Sequence, residues 1–163
     1  MRQNPTNRSD YNYFSKMNTR WNDNDIYGHL NNVIYYELFD TAVNKWLIKN
    51  NLIDIKKGNN IGLIVQSGCN YFSSFDYPED IDAGIRVTKI GNSSVRYEVG
   101  LFKPNDDLAS ADGFFIHVYV DRVSNKPITL DYEFKKILDT IYVDLNNKSF
   151  SISTISFSLI SSI

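Results

Sequence analysis

With 163 residues, of which 42% are apolar and 22% charged, the chain has the composition of one globular domain with a substantial core. Its net charge of −2 lacks the basic excess typical of nucleic-acid-binding proteins, so we expect no nucleic-acid partner. The single cysteine excludes an intrachain disulfide, and no apolar run reaches the roughly 18 residues of a membrane span. Residues 1–10 do not resemble a secretory signal. We therefore expect a cytoplasmic protein with no membrane contact.

The first elements in chain order are a polar segment, a strand and a helix. Residues 1–12 are polar and are predicted to be disordered. Residues 13–21 alternate loosely between apolar and polar types, which predicts a first strand. From about Val33, apolar residues recur with helical spacing as far as Asn50. The apolar stripe of this predicted helix is broad, so we expect a sheet to wrap around it.

Strands dominate after the helix. Residues 61–72 have strand character, and two alternating segments on either side of Gly91-Asn92 predict a hairpin. Residues 114–120 are apolar on both faces, so we expect the helix to cover one face and a second subunit to cover the other. Residues 131–145 predict a short amphipathic helix.

Residues 20–36 carry the most information about function, because they place polar groups directly before the helix. These groups are Asp23, Asp25, Gly28, His29, Asn31 and Asn32. Either asparagine can cap the helix, and the unpaired amides of a helix N-terminus can hold an oxyanion. A carboxylate beside them can act as a base or a nucleophile, which favours attack on a carbonyl. The pattern leaves open whether Asp25 performs chemistry or only caps its loop, while Asp23 is expected to orient the loop.

The run Asp23-Asn24-Asp25-Ile26-Tyr27-Gly28-His29-Leu30-Asn31-Asn32, followed by Tyr35, resembles the motif of acyl-CoA thioesterases related to 4-hydroxybenzoyl-CoA thioesterase. Residues 91–95 and 115–127 resemble the hairpin and the closing strand of the same family, so the resemblance covers roughly residues 13–140. It implies an α+β hotdog fold, in which a curved antiparallel sheet of about five strands wraps a long central helix. We therefore expect a hotdog domain over residues 13–145, followed by a Ser/Ile-rich tail, residues 146–163, with no assigned role.

The resemblance also implies roles for individual residues. Asp25 matches the catalytic carboxylate, the backbone amide of Asn32 matches the group that polarises the thioester carbonyl, and Gly28 matches the glycine at which the loop passes the substrate. His29 is a further catalytic candidate, although members of the family differ at this position. The remaining predicted substrate-binding residues are Tyr27, Tyr35, Ser73 and Ser74. The segment around Ser73 lacks the proline or charged residue that the family often has there, which leaves the substrate preference open.

We expect acyl-CoA as substrate, no cofactor and no metal ion, because the two histidines are not spaced as metal ligands. Cys69 and His117 lie on predicted strands and are expected to be core or interface residues.

The family's pocket forms between subunits, which implies a homodimer or a homotetramer. A thiolate leaving group, with a thiol pKa of about 8.5, needs little help from an acid, so one carboxylate and one oxyanion donor can suffice.

Two alternatives to a thioesterase stay open. One is a non-catalytic hotdog protein that binds acyl-CoA. The other is an enoyl-CoA hydratase, which in this fold uses an Asp and a His five residues apart in an Asp-x-Asn-Pro-x-His pattern. Asp25 and His29 are four residues apart here and no proline lies between them, which disfavours the hydratase.

Overall fold

The computed structural model describes residues 3–145, so residues 1–2 and the tail, 146–163, lie outside the described part of the chain. It contains a curved five-stranded antiparallel sheet with a helix packed on one face. The strands are β1 (Tyr13–Asn18), β2 (Asn60–Tyr71), β3 (Asp80–Ile90), β4 (Ser94–Phe102) and β5 (Ala111–Asp121), and the helices are α1 (Asn32–Lys49) and α2 (Tyr132–Leu138). The spatial order β1-β3-β4-β5-β2 places β1 and β2 at the two edges.

Helix α1 begins and ends as its sequence predicts. The side chain of Asn31 accepts a hydrogen bond from the amide of Val33 at 3.1 Å, which caps the N-terminus. After Lys49 the chain turns at Asn51, which has a positive φ of 56°. The helix has 18 residues, moderately more than the average of roughly 12, so the expectation of a long helix is only partly met.

The core lies between α1 and the face of the sheet that we call the inner face. The buried residues of α1 are Tyr35, Leu38, Phe39, Ala42, Val43, Trp46 and Leu47. They pack against the alternate residues of β3, β4 and β5 that point toward the helix. At Gly113 of β5 an added Cβ would collide with the ring of Phe39 and the carbonyl oxygen of Gly68. The close approach of the helix to the sheet therefore requires glycine at this position.

The C-terminal helix is shorter than its sequence pattern predicts. Helix α2 ends at Leu138 and is followed by a single 3₁₀ turn at Asp139–Ile141. Tyr142 then forms a parallel bridge with Val87 of β3, and the amide of Val143 donates to the carbonyl oxygen of Val87 at 2.8 Å. Pairing with β3 replaces the helical hydrogen bonds here. None of the helices within residues 3–145 is long and apolar enough to cross a membrane.

The N-terminal segment rests on the outer face of the sheet, opposite α1. The guanidinium of Arg8 pairs with Asp82 at 2.9 Å and donates to the carbonyl oxygen of Lys103 at 2.8 Å. Tyr11 is buried, with its ring centroid 5.6 Å from that of Phe102. These two side chains explain why the structure holds residues 3–12 against the sheet, where composition alone predicts disorder.

Candidate active site

Backbone hydrogen bonds close the loop between β1 and α1 into a narrow, hairpin-like turn. Asn24 and Leu30 form a bridge at its base, and the amide of Asp25 donates to the carbonyl oxygen of His29 at 2.7 Å. Gly28, at the tip, has a φ of +84°, a conformation that favours glycine. A Cβ added there would have no atom within 4 Å, so the backbone conformation, and not crowding, requires glycine. The space above the tip is open to an approaching molecule.

The carboxylate of Asp25 uses one oxygen to hold this loop. Its Oδ1 accepts hydrogen bonds from the amides of Tyr27 at 2.8 Å and His29 at 3.3 Å. Oδ2 has no hydrogen-bond partner within residues 3–145, and the side chain is half-buried. The two interpretations of Asp25 are therefore compatible, because one oxygen caps the loop while the other is available.

Asp23 anchors the base of the loop. Its carboxylate is buried and accepts hydrogen bonds from the amide of Arg20 at 2.7 Å and from Nε of Arg20 at 2.9 Å. The same guanidinium pairs with Glu37 of α1 at 2.8 Å. The amide of Asn31 donates to the carbonyl oxygen of Asp23 at 2.8 Å, which joins the two ends of the loop. The orienting role predicted for Asp23 is confirmed.

The first amide of α1 differs from those that follow it. The amide of Val33 donates to Asn31 Oδ1, and that of Ile34 donates to the Asn31 carbonyl oxygen at 2.9 Å. The amide of Asn32 has no hydrogen-bond partner in the described part of the chain. The structure groups Asp25 with Tyr27 and His29 at the tip, whereas Asn32 lies beyond the bridge at the base. That both reach one carbonyl stays a prediction.

Tyr35 lies in the first turn of α1 and packs into the core. It is buried, and burial raises its pKa above the usual range. Its ring centroid lies 5.0 Å from that of Tyr71 and 6.2 Å from that of Phe75. Tyr71 belongs to the segment that resembles the family's pocket-completing stretch but is not among the predicted substrate-binding residues; the alternation of β2 places it on the same face as Cys69. Burial raises the pKa of the Cys69 thiol to about 11, so this thiol is neutral and unsuited to nucleophilic attack.

The connection between β2 and β3 runs beside the loop. It carries Ser73 and Ser74, both exposed, and the amide of Ser73 donates to the carbonyl oxygen of Ser110 at 3.0 Å. The carbonyl oxygen of Phe75 accepts from the amide of Leu30 at 2.8 Å, which brings this connection to the base of the loop. The predicted serines thus lie near the loop that carries Asp25.

Four exposed apolar side chains lie on the loop and at its two ends, and we call them the site patch. Its members are Trp21, Ile26, Tyr27 and Val33, with exposed fractions of 79%, 91%, 78% and 67%. Next to it lies an open groove of about 430 Å³ lined by residues 20–23 and Ile34. Exposed apolar surface of this kind marks an interaction site. The sequence analysis did not identify Trp21, because nothing in its local pattern shows that it stays uncovered.

Chemically, the site offers a carboxylate oxygen, Asp25 Oδ2, and a backbone amide at the positive end of a helix. The exposed side chain of His29 adds a third polar group on the same loop. Among residues 3–145 no group of three or more His, Cys, Asp or Glu side chains is placed to hold a metal ion. A carboxylate with an oxyanion donor is suited to the transfer of an acyl group to water.

Comparison with known proteins identifies the class. The model of the thioesterase-like superfamily matches residues 19–138, so the chain belongs to this superfamily and the resemblance seen in the sequence is confirmed. The PA5185 protein of Pseudomonas aeruginosa is 46% identical, and the match covers 85% of this chain and 96% of that one with a TM-score of 0.82.

A more distant solved structure shares the fold, and a distant relative matches in sequence. Slr0204 of Synechocystis, a 1,4-dihydroxy-2-naphthoyl-CoA thioesterase, is 11% identical with a TM-score of 0.70, over 78% of this chain and 95% of that one. The YsmA protein of Bacillus subtilis is 21% identical over 131 residues, which cover 80% of this chain and 88% of that protein. The sheet and its helix are thus those of a hotdog-like thioesterase fold, and membership of the superfamily supports a thioester hydrolase.

Proposed function

We propose that the protein hydrolyses an acyl-CoA thioester to the free acid and CoA, with Asp25 as its catalytic carboxylate. The observation that carries the proposal is the state of that side chain. Loop amides hold Oδ1 in place, while Oδ2 has no partner within residues 3–145. Oδ2 either attacks the carbonyl carbon and displaces the CoA thiolate, giving an acyl-Asp25 anhydride that water then hydrolyses, or it takes a proton from the attacking water.

The amide of Asn32 completes this mechanism. It lies at the positive end of α1 and donates to the carbonyl oxygen as negative charge develops there. One such donor contributes about 2.7–4 kcal/mol to the transition state, and a positioned base contributes roughly 10²–10⁴-fold in rate. His29 orients the water or Asp25. Gly28, Tyr27, Ser73 and Ser74 contact the thioester end of the substrate, and Tyr35 forms the wall of the acyl pocket.

Asp25→Asn tests the assignment, with Asp54→Asn as a matched control. Asn keeps the Oδ1 acceptor that holds the loop and replaces Oδ2, the proposed nucleophile or base, by an uncharged NH2 group. Asp54, in the loop after α1, likewise accepts from two amides, those of Lys56 at 2.9 Å and Lys57 at 3.0 Å. Release of free thiol is measured with short, long, branched and aromatic acyl-CoAs. We expect kcat to fall by about 10²–10⁴-fold in Asp25→Asn and to stay unchanged in Asp54→Asn.

Turnover close to wild type in Asp25→Asn would refute the assignment. Acyl-CoA binding without thiol release would support a non-catalytic binding protein, and hydration of an enoyl-CoA without thiol release would support a hydratase. A single turnover in ¹⁸O-labelled water separates the two roles of Asp25. Label in the Asp25 side chain or a trapped acyl-Asp25 adduct supports direct attack, whereas the absence of both supports a general base.

We further propose that two copies of the chain associate through β2 as a homodimer, which can pair into a homotetramer. Strand β2 is an edge of the sheet, and Leu63, Ile64 and Val65 on it are 42%, 47% and 60% exposed. A long apolar edge strand is a template for pairing with another chain. The site patch adds apolar surface that a partner can cover.

We also propose that the protein is cytoplasmic, because its single cysteine fits a reducing compartment.

Sedimentation equilibrium tests the assembly. Val65→Lys places a charge on the free edge and should shift the protein toward monomers. Val123→Lys is the control, because Val123 is 90% exposed in the turn that follows β5 and is not part of β2. A monomeric wild type, or equal behaviour of the two variants, would contradict pairing through β2.

A further inference from the structure

One peptide group of the loop, that between Gly28 and His29, is held from two sides. Its carbonyl oxygen, on Gly28, accepts a hydrogen bond from Nδ2 of Asn24 at 3.2 Å. Its N–H group, on His29, donates to Oδ1 of Asp25 at 3.3 Å. The peptide is trans, so these two groups point in opposite directions. The orientation of the peptide that bonds to Asn24 is therefore the one that presents an amide to Asp25.

The contact with Asn24 restrains a peptide that has little else to hold its carbonyl side. Within residues 3–145 the Gly28 carbonyl oxygen accepts from no group other than Asn24. Gly28 has a φ of +84° and no atom within 4 Å of the position that a Cβ would take, so sterics leave the plane free to rotate. A rotated plane would turn the carbonyl oxygen toward the Asp25 carboxylate, and the two oxygens repel each other. The carboxylate would then lose one of the two amides that orient it.

The side-chain amide of Asn24 is itself oriented by a second contact. Its Oδ1 accepts from the backbone N–H of Tyr77 at 3.2 Å, in the connection between β2 and β3. Because Oδ1 meets a donor there, Nδ2 is left to meet the Gly28 carbonyl oxygen. An aspartate could accept from Tyr77 but could not donate to Gly28, and a leucine could do neither. The two contacts together require an asparagine.

We propose that Asn24 is a positioning residue for the catalytic carboxylate. It holds the Gly28–His29 peptide against the connection between β2 and β3, so that the His29 amide occupies Oδ1 and Oδ2 is left for the thioester. This inference rests on the proposed function, since Asn24 acts only through Asp25. Both polar atoms of the Asn24 side chain bond to the protein backbone, so the role requires no contact with substrate.

A double-mutant cycle between Asn24→Leu and Asp25→Asn tests this role. Leucine has nearly the shape of asparagine but neither donates nor accepts. Thiol release is measured with the acyl-CoA that the wild type hydrolyses fastest in the series above. We expect Asn24→Leu to lower kcat by about 10–10²-fold and to leave KM within about twofold, because a displaced catalytic group slows the reaction without removing substrate contacts. Added to Asp25→Asn, the same change should alter the residual kcat by less than about twofold.

Asn44→Leu is the matched control. Nδ2 of Asn44 likewise donates to a backbone carbonyl oxygen, that of Asp40, at 2.9 Å. Asn44 lies on α1, about 18 Å along the helix from Asn32, so its hydrogen bond does not reach the loop. The control should keep the wild-type kcat and KM. Thermal melting of each variant shows that the proteins compared are folded.

The outcomes separate this inference from the proposed function. An unchanged kcat in Asn24→Leu, a higher KM with unchanged kcat, or an equal fall in kcat with and without Asp25→Asn overturns the positioning role and leaves the catalytic role of Asp25 standing. Turnover close to wild type in Asp25→Asn alone refutes the proposed function, and the inference with it. If Asn24→Leu does not fold, Asn24→Ala, which adds no apolar bulk, takes its place in the same cycle.

Discussion

Lowering the pH from 8 to 5 should destabilise the protein through His117. Burial lowers the pKa of this side chain from 6.5 to about 4. Between these two values the unfolded chain binds a proton that the folded chain does not, so stability falls as the pH decreases. The contribution of His117 to the free energy of unfolding is constant above pH 6.5 and becomes constant again below pH 4. From pH 6.5 to pH 5 this difference in proton binding extends over 1.5 pH units. It lowers the free energy of unfolding by about 2 kcal/mol.

The surroundings of His117 do not offset this loss. The rings that stack on it or meet its edge are Phe115, Tyr97 and Tyr119. Burial raises the pKa of both tyrosines far above neutrality, so neither supplies a negative charge at pH 5. Among the described residues no carboxylate forms an ion pair with His117. A proton on the imidazole would therefore be a buried charge without a counterion.

Urea unfolding of the wild type and of His117→Phe at pH 8 and pH 5 measures the effect. The wild type should lose about 2 kcal/mol more than the variant over this range. Carboxylates act equally in both proteins and cancel in the comparison. One of them is Glu98, whose pKa is lowered by the hydrogen bond and charge of Arg86 against the opposing effect of burial. Equal losses in the two proteins would refute the reasoning about His117.

Substitutions at three further positions test the fold and the loop. Gly113→Ala should cost about 1–3 kcal/mol in urea unfolding, since its Cβ would collide with the Phe39 ring, and wild-type stability would contradict that close approach. Asn31→Ala should lower the free energy of unfolding by about 1 kcal/mol through loss of the helix cap. Asn31→Asp should retain most of the wild-type stability, because Asp also caps helices, and equal losses in the two variants would argue against capping. Asp23→Ala should lower both the melting temperature and kcat, because it frees Arg20 and one end of the loop, and an unchanged kcat would show that the anchor is not needed for catalysis.

Much of the fold was predictable because its signals are local. The helical spacing after Val33 and the capping asparagine at residue 31 give α1 its bounds. The turn residues Gly91-Asn92 lie between β3 and β4, as the hairpin pattern predicts. The C-terminal helix was predicted too long, since its end depends on pairing of residues 142–143 with β3, a contact distant in sequence.

The candidate site divides in the same way. The loop carboxylates, the glycine with positive φ and the helix start are adjacent in sequence, so the motif and its turn geometry could be read together. The two oxygens of Asp25 could not be told apart, because their difference arises from amides that the folded loop turns toward one of them. The exposure of Trp21 likewise depends on what the rest of the chain leaves uncovered.

Local sequence patterns are enough to identify the acid before the helix and the order of the strands along the chain, because the residues that carry each signal are close to one another, and several such motifs together identify the family. Which strands are edges of the sheet, and which polar groups of the described residues lack a partner, depends on contacts between segments that are distant in the chain. His117 shows why: burial and hydrogen bonding are properties of residues brought together from β2, β4 and β5, and no spacing along one strand contains them.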